Sequence, residues 1–176
     1  PRDGNLNRNF PTGWRPEFRQ YGAGDLPLSE PESKAVADFI LSHPNISGMQ
    51  CYHTHGGLHL RPSLVEPDST LPRADLAVYN RIGAMGTELT GYPVISVYEE
   101  FTNDPDKPRV GSLMQWSYDE FGIITFSTRL PSVIMANAFL PINPSGRFSG
   151  SESISTKLSM RMLTISVRRM SVCKST

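Results

Sequence analysis

Three histidines lie within one short stretch of the chain, His53, His55 and His59. Residues two apart on a strand point to the same face of a sheet, so His53 and His55 could both reach one metal ion. Two imidazoles alone do not make a zinc site, which needs at least a third protein ligand. Such a cluster more often consists of strand histidines that only form hydrogen bonds. Chain position alone does not decide between this explanation and a metal site.

A second candidate for chemistry is the tripeptide Asn7-Arg8-Asn9, which lies in a segment rich in Pro, Gly and Asn. The guanidinium of Arg8 is a planar fork that pairs with a carboxylate through two hydrogen bonds, and a neighbouring Asn can add a donor to the same group. This arrangement would suit a substrate carboxylate. When the tripeptide is considered without any other motif, however, a solvated Arg in a turn is the better interpretation. The phenol of Tyr98 could cover a ligand, although packing is the commoner role of such a residue.

Two helices are indicated in the first half of the chain. Ser29 is predicted to cap the first in a capping box with Glu32, and His43, followed by Pro and Asn, is predicted to stop it. Pro at the first helical turn and apolar residues at helical spacing support this helix. A second helix is predicted over residues 71–83 or 71–86, because a glycine at either position could end it.

Strands alternate with these helices. Apolar and β-branched patterns predict strands over 46–53, 58–60, 94–98 and 123–128, and a third helix over 113–121. In this prediction Tyr98 ends a strand. Helices and strands that alternate at these lengths predict an α/β domain.

Composition excludes several classes of protein. The chain of 176 residues carries 17 Lys+Arg and 17 Asp+Glu, which argues against a generally basic nucleic-acid binder. No apolar run approaches the ~20 residues that a membrane span needs. Two cysteines, Cys51 and Cys173, form no disulfide framework, and Cys51 is expected to be a buried free thiol. No signal peptide is visible at the first residues, so the compartment is not indicated. The oligomeric state is not indicated by the sequence either.

The zero net charge hides two unlike parts. Residues 1–128 carry 10 basic and 16 acidic residues, and residues 129–176 carry 7 basic residues and one acid, Glu152. We therefore predict a domain over 1–128 and a separate Ser/Arg-rich tail over 129–176. Within the tail, residues 158–170 have the composition of a basic amphipathic segment that could contact an anionic membrane, although an edge strand or a disordered tail is the preferred interpretation.

The order of several short motifs resembles one family. Over about residues 1–130 the chain is similar to the zinc metallocarboxypeptidases of the carboxypeptidase A/B type. The motifs that carry the resemblance are Asn7-Arg8-Asn9-Phe10-Pro11, Tyr52-His53-Thr54-His55-Gly56-Gly57, Leu60-Arg61-Pro62, Thr90-Gly91-Tyr92, Ser96-Val97-Tyr98 and Trp116-Ser117-Tyr118-Asp119.

The resemblance implies a fold, a cofactor and roles for particular residues. The fold would be a mixed central sheet flanked by helices, and incomplete. Asn7 and Arg8 would hold the substrate carboxylate, His53 would be the third zinc ligand, and Tyr98 would be the mobile tyrosine that closes over the terminal residue. Zinc-activated water would hydrolyse the C-terminal bond of a peptide or protein, with a carboxylate as general base. His55 has no counterpart among the family's ligands.

Two departures from the family lead us to expect an inactive chain. The His-x-x-Glu pair that supplies the first two zinc ligands is absent from residues 1–6, so the chain is expected to begin after it. Arg129 stands where the general-base Glu is expected, and an Arg cannot accept a proton at neutral pH. A shift of reading frame at codon 129 would explain both this residue and the change in composition. The alternative is a pseudoenzyme that binds peptide carboxylates without cleaving them.

Overall fold

A computed structural model of the protein describes residues 5–54, 56–104 and 107–130. Within them lie helices α1, α2 and α3, strands β1 to β4, two 3-10 helices and a short π-helix. In chain order these are the 3-10 helix Leu6–Arg8, α1 Pro31–Ser42, β1 Gly48–His53, β2 Leu58–Arg61, the 3-10 helix Asp68–Thr70, α2 Arg73–Thr90, β3 Val94–Ser96, the π-helix Val97–Phe101, α3 Leu113–Phe121 and β4 Ile124–Arg129.

The four strands form one mixed sheet in the order β1-β4-β2-β3. Strand β4 runs parallel to β1 and antiparallel to β2, and β2 is parallel to β3. In the register, Arg129 at the end of β4 is paired with His53 on one side and with Leu58 on the other. This sheet and its helices confirm the predicted α/β class with a mixed central sheet.

Two apolar clusters pack helices α1 and α3 against the sheet. The first contains Phe10, Ala37, Ile40, Trp116 and Ile123, and the second contains Leu60, Leu64, Val97 and Met114. In the first, the ring centroids of Phe10 and Trp116 are 5.5 Å apart, so the segment that carries Asn7 and Arg8 is anchored to α3. Burial of such side chains contributes about 1.5–3 kcal/mol each.

The predicted capping box at α1 is wrong, although the helix itself is confirmed. The N-cap residue is Glu30, and its side chain makes no capping hydrogen bond. The Ser29 hydroxyl accepts a hydrogen bond from the buried Asn9 side-chain amide (3.2 Å) and donates to the Glu30 carboxylate (3.1 Å). Ser29 therefore serves the loop that carries Asn9, a long-range contact that the local pattern does not reveal.

Helix α2 does not end at either predicted glycine. It continues to Thr90 and ends where Gly91 adopts a left-handed conformation with φ of 75°. Gly83 lies in the helix against β3, and a Cβ atom there would be 2.7 Å from a methyl group of Val94. Close packing of the helix on the sheet, rather than a chain break, explains Gly83.

Strand β3 is shorter than predicted, and Tyr98 does not end it. The strand stops at Ser96, whose hydroxyl accepts a hydrogen bond from the Glu99 amide (3.4 Å) and caps the π-helix Val97–Phe101. Tyr98 lies inside this π-helix, and its backbone N–H donates to the Ser63 carbonyl (3.1 Å). A single π-helical turn has no simple sequence periodicity, which explains the error.

Some predictions fall on residues that the structure does not describe. These are His55, Cys173, the segment 158–170 and nearly all of the tail 129–176, of which only the first two residues are described. In the described ranges, no helix is long and apolar enough to cross a membrane.

Candidate functional site

The 3-10 helix Leu6–Arg8 holds Asn7 in a fixed position. The Asn5 side chain accepts a hydrogen bond from the Asn7 backbone N–H (3.1 Å) and so caps this helix. The side-chain oxygen of Asn7 in turn accepts from the Leu113 N–H at the start of α3 (2.9 Å). One amide side chain thus joins the N-terminal segment to α3, and its NH2 group remains available to other partners.

That NH2 group contacts His53 at the end of β1. The distance from Asn7 Nδ2 to His53 Nε2 is 3.2 Å. An amide NH2 only donates, so Nε2 is the accepting, unprotonated nitrogen of the ring. The pKa of His53 is lowered first by burial and then by the charges of Arg129 and Arg8. The imidazole is therefore neutral at neutral pH.

Arg129 lies on the other side of His53, because the register pairs these two residues across β1 and β4. Its guanidinium carbon is 5.2 Å from the centroid of the Phe101 ring, at the distance of a cation–π contact. Its side chain packs on Gly56, where a Cβ atom would lie 2.9 Å from the Arg129 Cβ. A fixed positive charge therefore stands beside the imidazole.

Arg8 is half-buried and donates a hydrogen bond to the carbonyl of Asn7. The pKa of Arg8 is lowered by burial first and then by the charges of Arg109 and Arg129. Sequence reasoning missed Arg109, because its segment shows only the composition of a polar loop. The structure thus surrounds His53 with donors and cations.

Tyr98 is not joined to this group by the contacts of the described residues. Its side chain is half-buried, and it makes no hydrogen bond or ring contact there with Asn7, Arg8 or His53. Of the predicted site residues, the structure brings together Asn7, Arg8, His53 and Arg129. Tyr98 lies apart from them in the π-helix Val97–Phe101.

The residues around His53 do not fit a zinc ion by themselves. Among the described residues, no group of three His, Cys, Asp or Glu side chains lies close enough to hold a metal ion. The Nε2 atom of His53 is already engaged by Asn7, and the charges nearest the ring are the two guanidiniums that lower its pKa. Within these ranges the chain offers one imidazole rather than a ligand set, which is too few ligands to hold a zinc ion.

A cavity of about 310 Å³ opens next to His53. It lies between the 3-10 helix, α1, β1 and the first residue of α3. Its lining includes Asn7, Phe10, Val36, Met49, Cys51 and Leu113. Cys51 is a half-buried free thiol whose pKa is raised to about 11 by burial, so it is present as the uncharged thiol.

His59 belongs to a separate buried network and is no ligand candidate. Its Nδ1 lies 2.6 Å from the Thr128 hydroxyl, and its Nε2 lies 2.9 Å from the Thr90 hydroxyl. The Thr90 hydroxyl donates to the Gly86 carbonyl (2.7 Å), so it accepts from Nε2–H, and Nδ1 accepts from Thr128. Both ring nitrogens of the neutral form are satisfied, as expected for a histidine that only forms hydrogen bonds.

Acidification is expected to destabilise the fold through His59. Burial lowers its pKa in the folded chain, whereas the unfolded chain keeps the ordinary value of about 6.5. As the pH falls below 6.5, the unfolded state binds the proton first, and the free energy of unfolding decreases by up to about 1.4 kcal/mol per pH unit. Urea unfolding at pH 7.5 and 5.5 measures this effect, and the variant His59→Gln is expected to reduce it. An equal pH dependence in both proteins would contradict this role of His59.

With this geometry established, comparison with known proteins identifies the family. A family model described as zinc carboxypeptidase matches residues 2–143. The chain belongs to the zinc carboxypeptidase family. The matched range includes every site residue named above, and it extends past Arg129. No curated protein matches the chain.

Among solved structures, the zinc carboxypeptidase chain is similar to thrombin activatable fibrinolysis inhibitor (TAFI), known from its crystal structure. The TM-score is 0.56 at 24% sequence identity, and the match covers 73% of this chain and 34% of the TAFI chain. At this sequence identity the similarity concerns the fold alone. Both chains share the mixed α/β fold of a carboxypeptidase. The chain spans about a third of the length of that structure.

Proposed function

We propose that the full protein is a metallocarboxypeptidase that hydrolyses C-terminal peptide bonds, with zinc as its cofactor. The chain of 176 residues supplies the recognition of the peptide carboxylate and is itself inactive. The observation that carries this proposal is the contact of Asn7 with His53, a neutral imidazole whose pKa is lowered by burial and by the charges of Arg129 and Arg8. A fork of guanidinium donors one residue from that contact is suited to a terminal carboxylate.

In this proposal each site residue has a separate role in binding the peptide or the metal. Arg8 binds the α-carboxylate of the peptide, and the second N–H of the Asn7 side chain donates to it. Tyr98, on its half-buried turn, closes over the terminal residue. His53 is one zinc ligand in the full protein, where the metal would supply an activated water.

The inactivity of the chain follows from Arg129 in the same proposal. A general base must hold a free electron pair within reach of the attacking water. The guanidinium has none at neutral pH, and the charge of Arg129 disfavours a second cation beside His53. The division into a domain over 1–128 and a tail over 129–176 remains a prediction, which resequencing of the coding DNA across codon 129 would test.

The experiment compares one blocked dipeptide as its free acid and as its amide. Calorimetric titration is expected to give at least tenfold tighter binding of the acid, because a charged hydrogen-bonded pair is worth about 1.5–3 kcal/mol. Incubation of the acid with the chain and zinc is expected to yield no product by chromatography. Equal affinity for acid and amide would overturn carboxylate recognition, and zinc-dependent hydrolysis would overturn the proposed inactivity.

The cationic surroundings of His53 also favour a second function, that of a natural pseudoenzyme which binds peptide carboxylates without cleaving them. The two proposals share the same binding site and differ in the origin of Arg129. An intact reading frame with Arg codon 129 in genomic DNA would favour the pseudoenzyme, whereas a frame that restores Glu there would favour the carboxypeptidase.

A further inference from the structure

Helix α2 carries a row of apolar side chains on its exposed surface. We call this row the α2 seam, and each of its members is between 41% and 64% exposed: Val78, Ile82, Met85 and Leu89. The spacings of four, three and four residues are those of the apolar positions of a coiled coil, which form one stripe along a helix. A surface helix normally turns such a stripe toward its own core. Here the stripe is left available to a second helix.

Contacts on another face of α2 fix its rotation. Tyr79 is fully buried, and its hydroxyl accepts a hydrogen bond from the Thr125 N–H of β4 (3.3 Å). Gly83 packs so closely against Val94 of β3 that a Cβ atom there would be 2.7 Å from a methyl group. A rotation that turned the α2 seam toward the sheet would break both contacts. The seam is therefore a surface feature of the folded domain.

Two charges of opposite sign flank the α2 seam on one side. Arg81 and Glu88 are both exposed, and they lie two helical turns apart along the same edge of the seam. The ion pairs of the described ranges involve neither residue. When two copies of α2 pack antiparallel, Arg81 of one copy lies level with Glu88 of the other, and the two-fold axis repeats this pair. A parallel arrangement would instead place each Arg81 level with its own counterpart.

We propose that two copies of the chain associate through the α2 seam, with their α2 helices antiparallel about a two-fold axis. Val78 of each copy then packs against Leu89 of the other, and Ile82 packs against Met85. The seam is complementary to itself in its apolar order and in its flanking charges, which is the property that a two-fold interface requires. None of the proposed carboxylate-binding residues lies on α2, so failure of either proposal leaves the other standing.

Sedimentation velocity of the 176-residue chain measures this association directly. Between about 2 and about 200 μM, the weight-average mass is expected to rise from 19.5 kDa toward twice that value, because a helix pair of this length buries a small interface. Met85→Gln is expected to weaken association about tenfold, since it places a polar side chain at the centre of the seam. Leu41→Gln is the matched control at an exposed apolar residue of α1, and it should leave association unchanged.

Charge reversal distinguishes the antiparallel pair from other modes of association. Arg81→Glu and Glu88→Arg are each expected to weaken self-association about tenfold, because each places like charges across the axis. A mixture of these two variants is expected to associate as tightly as the unmodified chain, since each copy then offers the charge that the other lacks. Arg81→Gln removes the attraction without adding repulsion, so it should weaken association at most about threefold and leave the fold of the single chain unchanged.

Several results would overturn the proposed dimer. A mass of 19.5 kDa at every concentration would do so, as would association that persists unchanged in Met85→Gln. Equal association of the single charge variants and of their mixture would refute the antiparallel pairing. Circular dichroism is expected to show the same folded spectrum for every variant. If Met85→Gln failed to fold, the charge variants, whose substitutions are fully at the surface, would decide the question by the same criteria.

Discussion

Replacing Arg8 by Gln is expected to weaken binding of a blocked peptide acid ten- to a hundredfold and to leave binding of the matching amide unchanged. The Gln side chain keeps donors but loses the charge and the fork, and a charged hydrogen-bonded pair contributes about 1.5–3 kcal/mol. Calorimetric titration of both peptides into both proteins measures the change. Arg8→Lys, which keeps the charge without the planar fork, is expected to fall between the two.

The same substitution is not expected to destabilise the fold, and this combination distinguishes a binding residue from a structural one. The lowered pKa of Arg8 means that the folded chain disfavours its charge, so a neutral side chain is tolerated at least as well. Arg81→Gln on the exposed face of α2 is the matched control and should change neither affinity nor stability. A loss of stability in Arg8→Gln as large as its loss of affinity would contradict the assignment.

Replacing Asp68 by Ala is expected to destabilise the protein by about 3–5 kcal/mol, because it leaves a buried guanidinium without its partner. The Arg61 side chain is 9% exposed and is paired with both carboxylate oxygens of Asp68. Asp68 also accepts from the Ser96 hydroxyl (3.0 Å). The pair thereby holds the end of β3, from which the turn of Tyr98 begins. Chemical unfolding monitored by circular dichroism measures the loss.

The two halves of this pair are not expected to be equivalent. In Arg61→Met the remaining carboxylate is 27% exposed and can be hydrated, so the loss should be smaller than in Asp68→Ala. Asp38→Ala removes an exposed ion pair on α1 and is expected to cost at most about 0.5 kcal/mol. Losses of equal size in Asp68→Ala and Asp38→Ala would refute the structural importance of the buried pair.

The sequence predicts those elements of the fold that local patterns specify. Helix α3 has its predicted bounds because Ser112 caps it and Gly122 ends it, which are signals within one turn of the helix. The predicted end of α2 was wrong because Gly83 does not break the helix. It packs against Val94 of β3, which is distant in sequence. Ser29 was misassigned for the same reason, since its hydroxyl serves Asn9, twenty residues away. Errors therefore occur where a tertiary contact overrides a local preference.

The candidate site shows the same division. Family resemblance indicated Asn7, Arg8 and His53 one by one, but only the structure shows the bond between Asn7 and His53. The place of Arg129 beside His53 depends on strand register, which the order of motifs does not specify. No motif marks Arg109, and only the folded structure shows that its charge lowers the pKa of Arg8.

The most direct test of the central claim is to map where a peptide carboxylate binds. Nuclear magnetic resonance of the 176-residue chain, titrated with a blocked dipeptide acid, resolves the side-chain amide of Asn7 and the ring protons of His53. These signals are expected to shift most and to saturate together when the acid is added, and to stay in place when the matching amide is added. Shifts confined to other parts of the chain, or equal shifts with acid and amide, would contradict this claim.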